Sequence, residues 1–440
     1  MKEKLHWPED EKDLDGWREK WSSAFTLRHR QVITTSKDLA VRLADLARRI
    51  RRRAGQVLAV ETERGPLRKL HKAFREALIH DLSEDDFADM YAQTIAYGLL
   101  AARVSRPMGI IAENVTDMVP MTNPFLREML GTFLTIGGRK GKMDFDELGI
   151  QDVVDLLNNR DTHMEAILRD FGNRTRQEDP VIHFYELFLA EYDKKMKVKR
   201  GVFYTPQPVV SYIVRSVHEL LQTEFGLPDG LADTTTWGEM AARFAKHEPS
   251  LPFLRETSLK SSLPSREISP KSSLPSREGS REGESVPFNI PDGVSPDTPF
   301  VQILDPATGT ATFLVEVIDI IYKTMTAKWI REKRLEPEFD RLWNEYVPKH
   351  LLPRLYGYEL MMAPYAIAHM KIGLKLFETG YRFGSNERAH IYLTNALEPP
   401  SPLAEQAAAN LFEALGHEAQ AVNAIKSNKR FTVVIGNPPY

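Results

Sequence analysis

Apolar residues recur at helical spacing through the first ~200 positions, and strand-like alternation is scarce there. Leu39, Leu43, Leu46 and Ile50 fall at steps of four, three and four, one face of a helix. Ser83 followed by Asp86 forms a capping box with the shorter acid, ahead of a helix bearing Phe87, Tyr91, Ile95 and Leu99. Asp179-Pro180 is a cap with proline at the first helical position, opening a helix with Phe184, Leu187, Phe188 and Tyr192. The texture changes at Val301. Val301–Leu304, Arg354–Tyr358, His390–Leu393 and Phe431–Ile435 are short apolar strands. Between them, Phe313, Leu314, Val317, Ile318 and Ile321, and then residues from Pro364 to Phe377, follow helical spacing. Strands alternating with helices predict an α/β fold with a parallel sheet and right-handed crossovers, behind an all-helical N-terminal region.

Residues from about 250 to 297 fit neither texture. Lys260-Ser-Ser-Leu-Pro-Ser-Arg-Glu267 recurs word for word from Lys271 to Glu278, and Ser250-Leu-Pro-Phe-Leu-Arg-Glu256 is a decayed copy. Units this short and polar lack the apolar surface to offset the entropy of ordering. They predict a disordered, repeat-expanded insertion in a surface loop; a linear partner-binding motif is the alternative.

Composition narrows the chemistry. With no cysteine, a disulfide scaffold and any cysteine-ligated metal site are excluded. No metal is expected. The N-terminus is charged rather than signal-like, and no apolar run reaches the ~20 residues of a membrane span. A cytoplasmic protein without a membrane partner is therefore expected. The 58 basic and 61 acidic residues nearly cancel, but not locally. Between Arg28 and Arg75 there are 14 basic and 4 acidic residues, and Lys194, Lys195, Lys197, Lys199 and Arg200 precede Gly201. Such runs are either solvated helix faces or sequence-independent phosphate contacts.

Three segments carry candidate chemistry. Asp305-Pro-Ala-Thr-Gly-Thr-Ala-Thr-Phe313 takes a strand through a tight turn into a helix, with Gly309 free to adopt positive φ. It has neither a dinucleotide nor a phosphate-loop glycine pattern, and an acid at the strand end suits a cationic or hydroxyl-bearing ligand. Asn437-Pro438-Pro439-Tyr440 follows the fourth strand. The Asn437 oxygen and the Pro438 carbonyl accept hydrogen bonds, and Tyr440 offers an aromatic face. That set suits a planar ring bearing an amine; a base stacked on such a face gains about 1–3 kcal/mol. Gly201-Val-Phe-Tyr-Thr-Pro206 ends with Thr205 as an N-cap and Pro206 as the first residue of a helix bearing Val209, Val210, Ile213, Val214 and Val217.

In that order, Tyr204-Thr-Pro206, the Asp305 segment and the Asn437 segment resemble the DNA methyltransferases acting on adenine N6, above all the large restriction–modification enzymes of type IIG and type ISP. The resemblance runs from about 179 to 440 outside the repeats, and more weakly around Asp81 to Val104. It implies a helical connector over 1–178 and, over 179–440, the first part of a Rossmann-like methyltransferase sheet. The implied cofactor is S-adenosylmethionine. Tyr204, Thr205 and Pro206 would lie over its methionine portion. Asp305, Ala307, Thr308, Gly309 and Thr310 would frame its amino-acid end, Asp305 near the ammonium. Glu359 would hold the ribose hydroxyls, and Asn395 the adenine amine, with Ala396 and Leu397 beside the ring. Asn437, Pro438, Pro439 and Tyr440 would hold the target base. The family often has glycine where Ala311 stands and aspartate where Asn395 stands.

The resemblance further implies double-stranded DNA as substrate and a flipped adenine, since a stacked base cannot reach the cofactor. The chain stops on the last residue of its own motif. The expectation is thus a methyltransferase lacking its later strands and its recognition domain, with a specificity or nuclease partner or a missing C-terminal part. Two alternatives stand: a non-catalytic fragment, and a protein glutamine N5-methyltransferase, which shares Asn-Pro-Pro-Tyr but not the helical front half.

Overall fold

The computed structural model describes residues 32–77, 79, 82–105, 148–167, 180–192, 205–246, 288–382, 388–400 and 413–438. Its N-terminal part is helical, as the spacing predicts: α1 (Ser36–Val60), α2 (Pro66–Ala77), α3 (Glu84–Ser105), α4 (Ile150–Asn158) and α5 (Pro180–Tyr192). On α1, Leu39, Leu43, Ala47, Ile50, Ala54 and Leu58 are buried, while Thr35 caps the helix by accepting from the Asp38 N–H at 3.1 Å. Ser83 caps α3 in the same way, taking the Asp86 N–H at 3.1 Å, and Phe87, Tyr91, Ile95 and Leu99 are buried. Asp179 lies outside the described residues, but Pro180 does open α5.

The arginine run of α1 is chiefly a set of struts. Arg51 pairs with Asp85 at 2.7 Å and with buried Asp89 at 3.4 Å, and Asp89 also accepts from the Tyr192 hydroxyl at 2.7 Å. Arg48 donates to the Glu191 carbonyl, and Arg49 pairs with Asp45 at 2.6 Å. These bonds tie α1 to α3 and α5. Asp85 and Asp89 lie beyond the 28–75 stretch, and Glu191 acts through its backbone carbonyl, so the composition of that stretch does not reveal these partners. Arg42 and Arg52 remain exposed. The second run, 194–200, lies outside the described residues.

The rest is α/β. After α6 (Gln207–Thr223) and α7 (Trp237–Lys246) come β1 (Ile303–Asp305), α8 (Thr312–Arg331), α9 (Glu336–Tyr346), β2 (Leu355–Glu359), α10 (Met362–Glu378), β3 (His390–Leu393), α11 (Glu413–Asn428) and β4 (Val433–Val434). All four strands are parallel, in the order β3-β2-β1-β4. Register places Asp305 beside Gly357, Glu359 beside Leu393, and Leu304 beside Val434. Buried residues of α8 and α10, including Leu314, Val317, Ile318, Tyr365 and Ile372, join the main core. Val422 of α11 packs on the other face, over Leu304, Tyr356, Tyr358 and Tyr392. The helical part meets this unit where α3 packs on α10 and α2 on α11.

Residues 247–287 lie outside the described structure, but 288–297, expected to belong to the insertion, do not behave as padding. Phe288 stacks on Phe244 with centroids 4.7 Å apart and packs against Trp237, and the Gly238 N–H donates to the Pro296 carbonyl at 2.8 Å. The serine- and proline-rich composition hid the anchors Phe288, Ile290 and Val294, which pack against the core. Among the described residues, no helix is long and apolar enough to cross a membrane.

Candidate functional site

The strand order decides which side chains can meet. Parallel strands end on one edge, so Asn395, Glu359, Asp305 and Asn437 follow β3, β2, β1 and β4 along a single rim. From β1 the chain steps to β2 and β3, then returns to the far side of β1 for β4. The crevice between β1 and β4 is therefore the topological switch point, where ligands of open α/β sheets bind. Asp305 and Asn437 flank it.

Asp305 is fully buried at the end of β1. Its Oδ1 accepts from the Ala307 N–H at 3.2 Å, and its Oδ2 has no hydrogen-bond partner among the described residues. The turn that follows is closed by its own backbone. The Thr308 N–H reaches the Tyr358 carbonyl at 2.9 Å, the Thr308 hydroxyl the Asp305 carbonyl at 3.1 Å, and the Ala311 N–H the Thr308 carbonyl at 2.8 Å. Gly309 takes φ 54°, as expected, and Ala311 takes φ 64° at the N-cap of α8. A residue with a Cβ is strained there. Gly436, absent from the sequence-derived set, gives the site room: a Cβ on it would lie 2.6 Å from Asp305 Oδ1. Its only sequence signal is its place between β4 and Asn437.

Glu359 ends β2, and the turn already uses both of its oxygens. Oε2 accepts from the Gly309 N–H and Oε1 from the Met361 N–H, each at 2.7 Å. A carboxylate offers about four lone-pair sites, so these bonds and a further N–H contact from Leu360 still leave some acceptor capacity. Asn395 is drawn into a turn of its own, with Oδ1 accepting from the Leu397 N–H and Nδ2 donating to Glu398, each at 3.0 Å. Lys426 of α11 pins that turn through the Asn395 carbonyl at 2.7 Å and the Glu398 carbonyl at 2.8 Å. Leu397 is 94% exposed and projects into solvent.

Asn437 is exposed, and its Nδ2 donates to the Thr205 hydroxyl at 3.0 Å across 232 positions of sequence. The structure thus joins the first and last candidate segments. Thr205 is not the helix cap that the sequence predicts. Pro206 is the N-cap, with ψ 137°, and α6 starts at Gln207. The Pro206 carbonyl takes the Val209 and Val210 N–H groups, while the Thr205 side chain serves Asn437 instead. The exposed Pro438 follows Asn437; Tyr204, Pro439 and Tyr440 lie outside the described residues. A carboxylate on α8 reaches the start of α6: Glu316 accepts from the Gln207 amide and from the Ser211 hydroxyl, each at 2.7 Å.

Electrostatics mark the centre of the rim. Burial raises the Asp305 carboxyl from the ordinary 3.8 to about 7, against the lowering effect of the Ala307 N–H and with a further push from Glu359. Burial raises Glu359 to about 7 as well, opposed by N–H bonds from Met361, Gly309 and Leu360. A cation or a hydrogen-bond donor placed against these two acids would be strongly favoured. Among the described residues, no cluster of three or more His, Asp or Glu is placed to hold a metal ion.

No protein-family model matches the chain, and no curated protein matches it. Solved structures do. The chain is similar to the ATP-dependent type ISP restriction-modification enzyme LlaBIII bound to DNA, at 17% identity and TM-score 0.50, over 99% of this chain and 22% of that one. It is also similar to a nuclease-deletion mutant of the type ISP restriction-modification enzyme LlaGI in complex with a DNA substrate mimic, at 16% identity and TM-score 0.48, over 98% of this chain and 26% of that one. A third is the DrdV–DNA complex, at 17% identity and TM-score 0.49, over 98% of this chain and 31% of that one. The chain spans between about a fifth and a third of the length of these structures, and what it shares with LlaBIII is the fold.

Proposed function

We propose that the chain carries the cofactor- and base-binding part of a DNA adenine-N6 methyltransferase belonging to a cytoplasmic restriction–modification system. In this reading residues 1–178 are a helical connector, residues 179–440 belong to a Rossmann-like methyltransferase domain, and double-stranded DNA is the substrate. The observation that carries it is the Asn437–Thr205 hydrogen bond beside Asp305 at the switch point. Three segments far apart in sequence, chosen for their chemistry, meet on one rim. The DNA-bound state of LlaBIII agrees with the substrate assigned here.

The rim fits S-adenosylmethionine. The buried Asp305 Oδ2 lacks a donor, which an α-ammonium would supply. Ala307, Thr308, Gly309 and Thr310 form the turn around that end, and Thr205 and Pro206, with Tyr204 preceding them, border it from the β4 side. Glu359 retains acceptor capacity for a ribose hydroxyl, and Asn395 and Leu397 border the ring. When bound, the cofactor supplies an electrophilic methyl group. The chain's own residues prepare the acceptor. An adenine extruded from the duplex would stack on Tyr440 beside Pro439. Its N6 lone pair is delocalised into the ring. The Asn437 Oδ1 and the Pro438 carbonyl would accept the two N–H bonds, draw the amine toward a tetrahedral shape and free that pair. Thr205, holding Nδ2, orients the Asn437 oxygen. Positioning supplies most of the acceleration.

Asn437→Ala is expected to lower methyl transfer to adenine-containing DNA by about 100-fold or more, with S-adenosylmethionine binding by calorimetry nearly unchanged. Undiminished methylation by that variant would remove the assignment.

A further inference from the structure

Resting on the reading above, we infer that Glu316 is a positioning residue: its carboxylate fixes the first turn of α6 so that Thr205 holds the Asn437 amide at the end of β4. Glu316 lies one turn into α8, the helix that starts at the Asp305 turn. Its two oxygens each take one donor from α6, Gln207 Nε2 and Ser211 Oγ, both at 2.7 Å. These are charge-assisted bonds, short and directional. Elsewhere α6 is held by Val210, Val214 and Leu221, buried in the core, and at its far end by His218, which accepts from the Leu231 N–H at 3.2 Å, and Gln222, which donates to the Pro228 carbonyl at 3.0 Å. Apolar packing sets the distance of a helix from its neighbour but resists small slides and rotations less well than a bidentate polar clamp.

Proximity makes the clamp matter. Gln207 is joined to Thr205 only through Pro206, whose φ of -55° is locked by its ring. A shift of the first turn of α6 therefore reaches Thr205 across a single residue with one backbone torsion fixed. On the other side, β4 fixes the backbone approaching Asn437, with the Ile435 N–H on the Leu304 carbonyl at 2.9 Å. What the sheet leaves undetermined is the orientation of the Asn437 amide, two residues past that bond. Thr205 sets it, and Glu316 places Thr205. One carboxylate thus refers the Thr205 segment, the Asp305 turn and the Asn437 segment to a common point on α8.

The test pairs hydrogen–deuterium exchange of the ligand-free chain with methyl-transfer kinetics, using Glu316→Ala, Glu316→Gln and Ser211→Ala. Glu316→Ala is expected to speed exchange across 207–211 and 435–438 by about tenfold, leaving the buried turns of α8 unchanged. It is expected to lower kcat by about 10- to 100-fold with little change in KM for S-adenosylmethionine. Glu316→Gln should behave as wild type, because its amide can accept from Ser211 and, once the Gln207 amide turns over, donate to the Gln207 oxygen. Ser211→Ala, which removes one of the two bonds, should fall between. Wild-type exchange in Glu316→Ala, or a Glu316→Gln variant as impaired as Glu316→Ala, would overturn the inference. If the wild-type chain binds no S-adenosylmethionine while Glu316→Ala still loosens both segments, the methyltransferase reading falls and the clamp stands. If methylation depends on Asn437 but neither exchange nor kcat responds to Glu316, the clamp falls and the reading stands.

Discussion

Replacing Asp305 by asparagine separates the two roles assigned to its carboxyl. In the ligand-free fold that group is held near 7 instead of 3.8, because burial disfavours its charge. A folded-state value raised in this way contributes stability that is present at low pH and lost as pH rises. Between about pH 4 and 7 the unfolded chain releases the proton and the folded chain keeps it, so wild-type stability falls across that window and levels off above it. At about 1.4 kcal/mol per pH unit, the cost is about 2 kcal/mol at pH 5 and about 4 kcal/mol at pH 8. Asparagine cannot ionise. Its oxygen can keep the Ala307 N–H, and any cost of its unpartnered amide, about 1–3 kcal/mol, is the same at both pH values. The variant should therefore gain about 2–3 kcal/mol relative to wild type between pH 5 and pH 8, whatever its absolute stability. Urea denaturation curves at the two pH values measure this. The same variant should lose detectable S-adenosylmethionine binding, since a neutral amide cannot match an ammonium ion as the carboxylate does. A stability difference that does not change with pH would show that Asp305 ionises without penalty. The rim would then hold an ordinary carboxylate at the end of β1.

Two substitutions probe the turn and the crevice. Ala311 sits at φ 64° and is buried. Ala311→Gly should remain within about 1 kcal/mol of wild type, because relief of the left-handed strain offsets the added chain entropy. Ala311→Val should cost at least about 2 kcal/mol, since a β-branched side chain meets both the strain and a packed interior. Thermal denaturation distinguishes the pair, and equal melting temperatures would contradict the φ assigned here. Gly436→Ala would place a methyl 2.6 Å from Asp305 Oδ1 and 3.5 Å from Pro306 Cδ. It should weaken S-adenosylmethionine binding by at least about tenfold, and unchanged calorimetric affinity would show that the crevice tolerates a side chain there.

Local signals were legible because local physics carries them. The Ser83 cap, the apolar face of α1 and the strand His390–Leu393 follow from spacing and capping alone, and each stands where the sequence puts it. The start of α6 was misplaced by one residue because Thr205 is a good cap in isolation. Only the fold brings Asn437 within 3.0 Å to claim its hydroxyl. The arginines of α1 read either as a solvated face or as phosphate contacts because the partners of Arg48 and Arg51 lie on α3 and α5. Glu316 carried no signal at all. A glutamate on an amphipathic helix is unremarkable until the fold sets it against Gln207 and Ser211. In general, the candidate ligand-binding residues stand out by type and position at strand ends, whereas a residue such as Glu316, which holds other side chains in place, does not.

The strand order explains why the site draws on a segment from before the sheet begins. At the switch point the connections from β1 and into β4 lie on opposite faces, α8 on one and α11 on the other. That divergence opens the crevice and leaves it without a wall of its own. Gly436 widens it further by presenting no side chain toward Asp305. The loops after β1 and β2 cannot close it, because they are bound to each other through Gly309 and Glu359. The wall comes from Thr205 and Pro206, delivered by α6, which packs on α8 and so stands on the face nearest the opening. A helix that only buried Val210 and Val214 could have lain in many registers. The Gln207 and Ser211 bonds to Glu316 select the one in which Thr205 reaches Asn437. The site is thus assembled by long-range polar contacts laid over a short, locally determined sheet, and its chemistry should be most sensitive to substitution where those contacts are made.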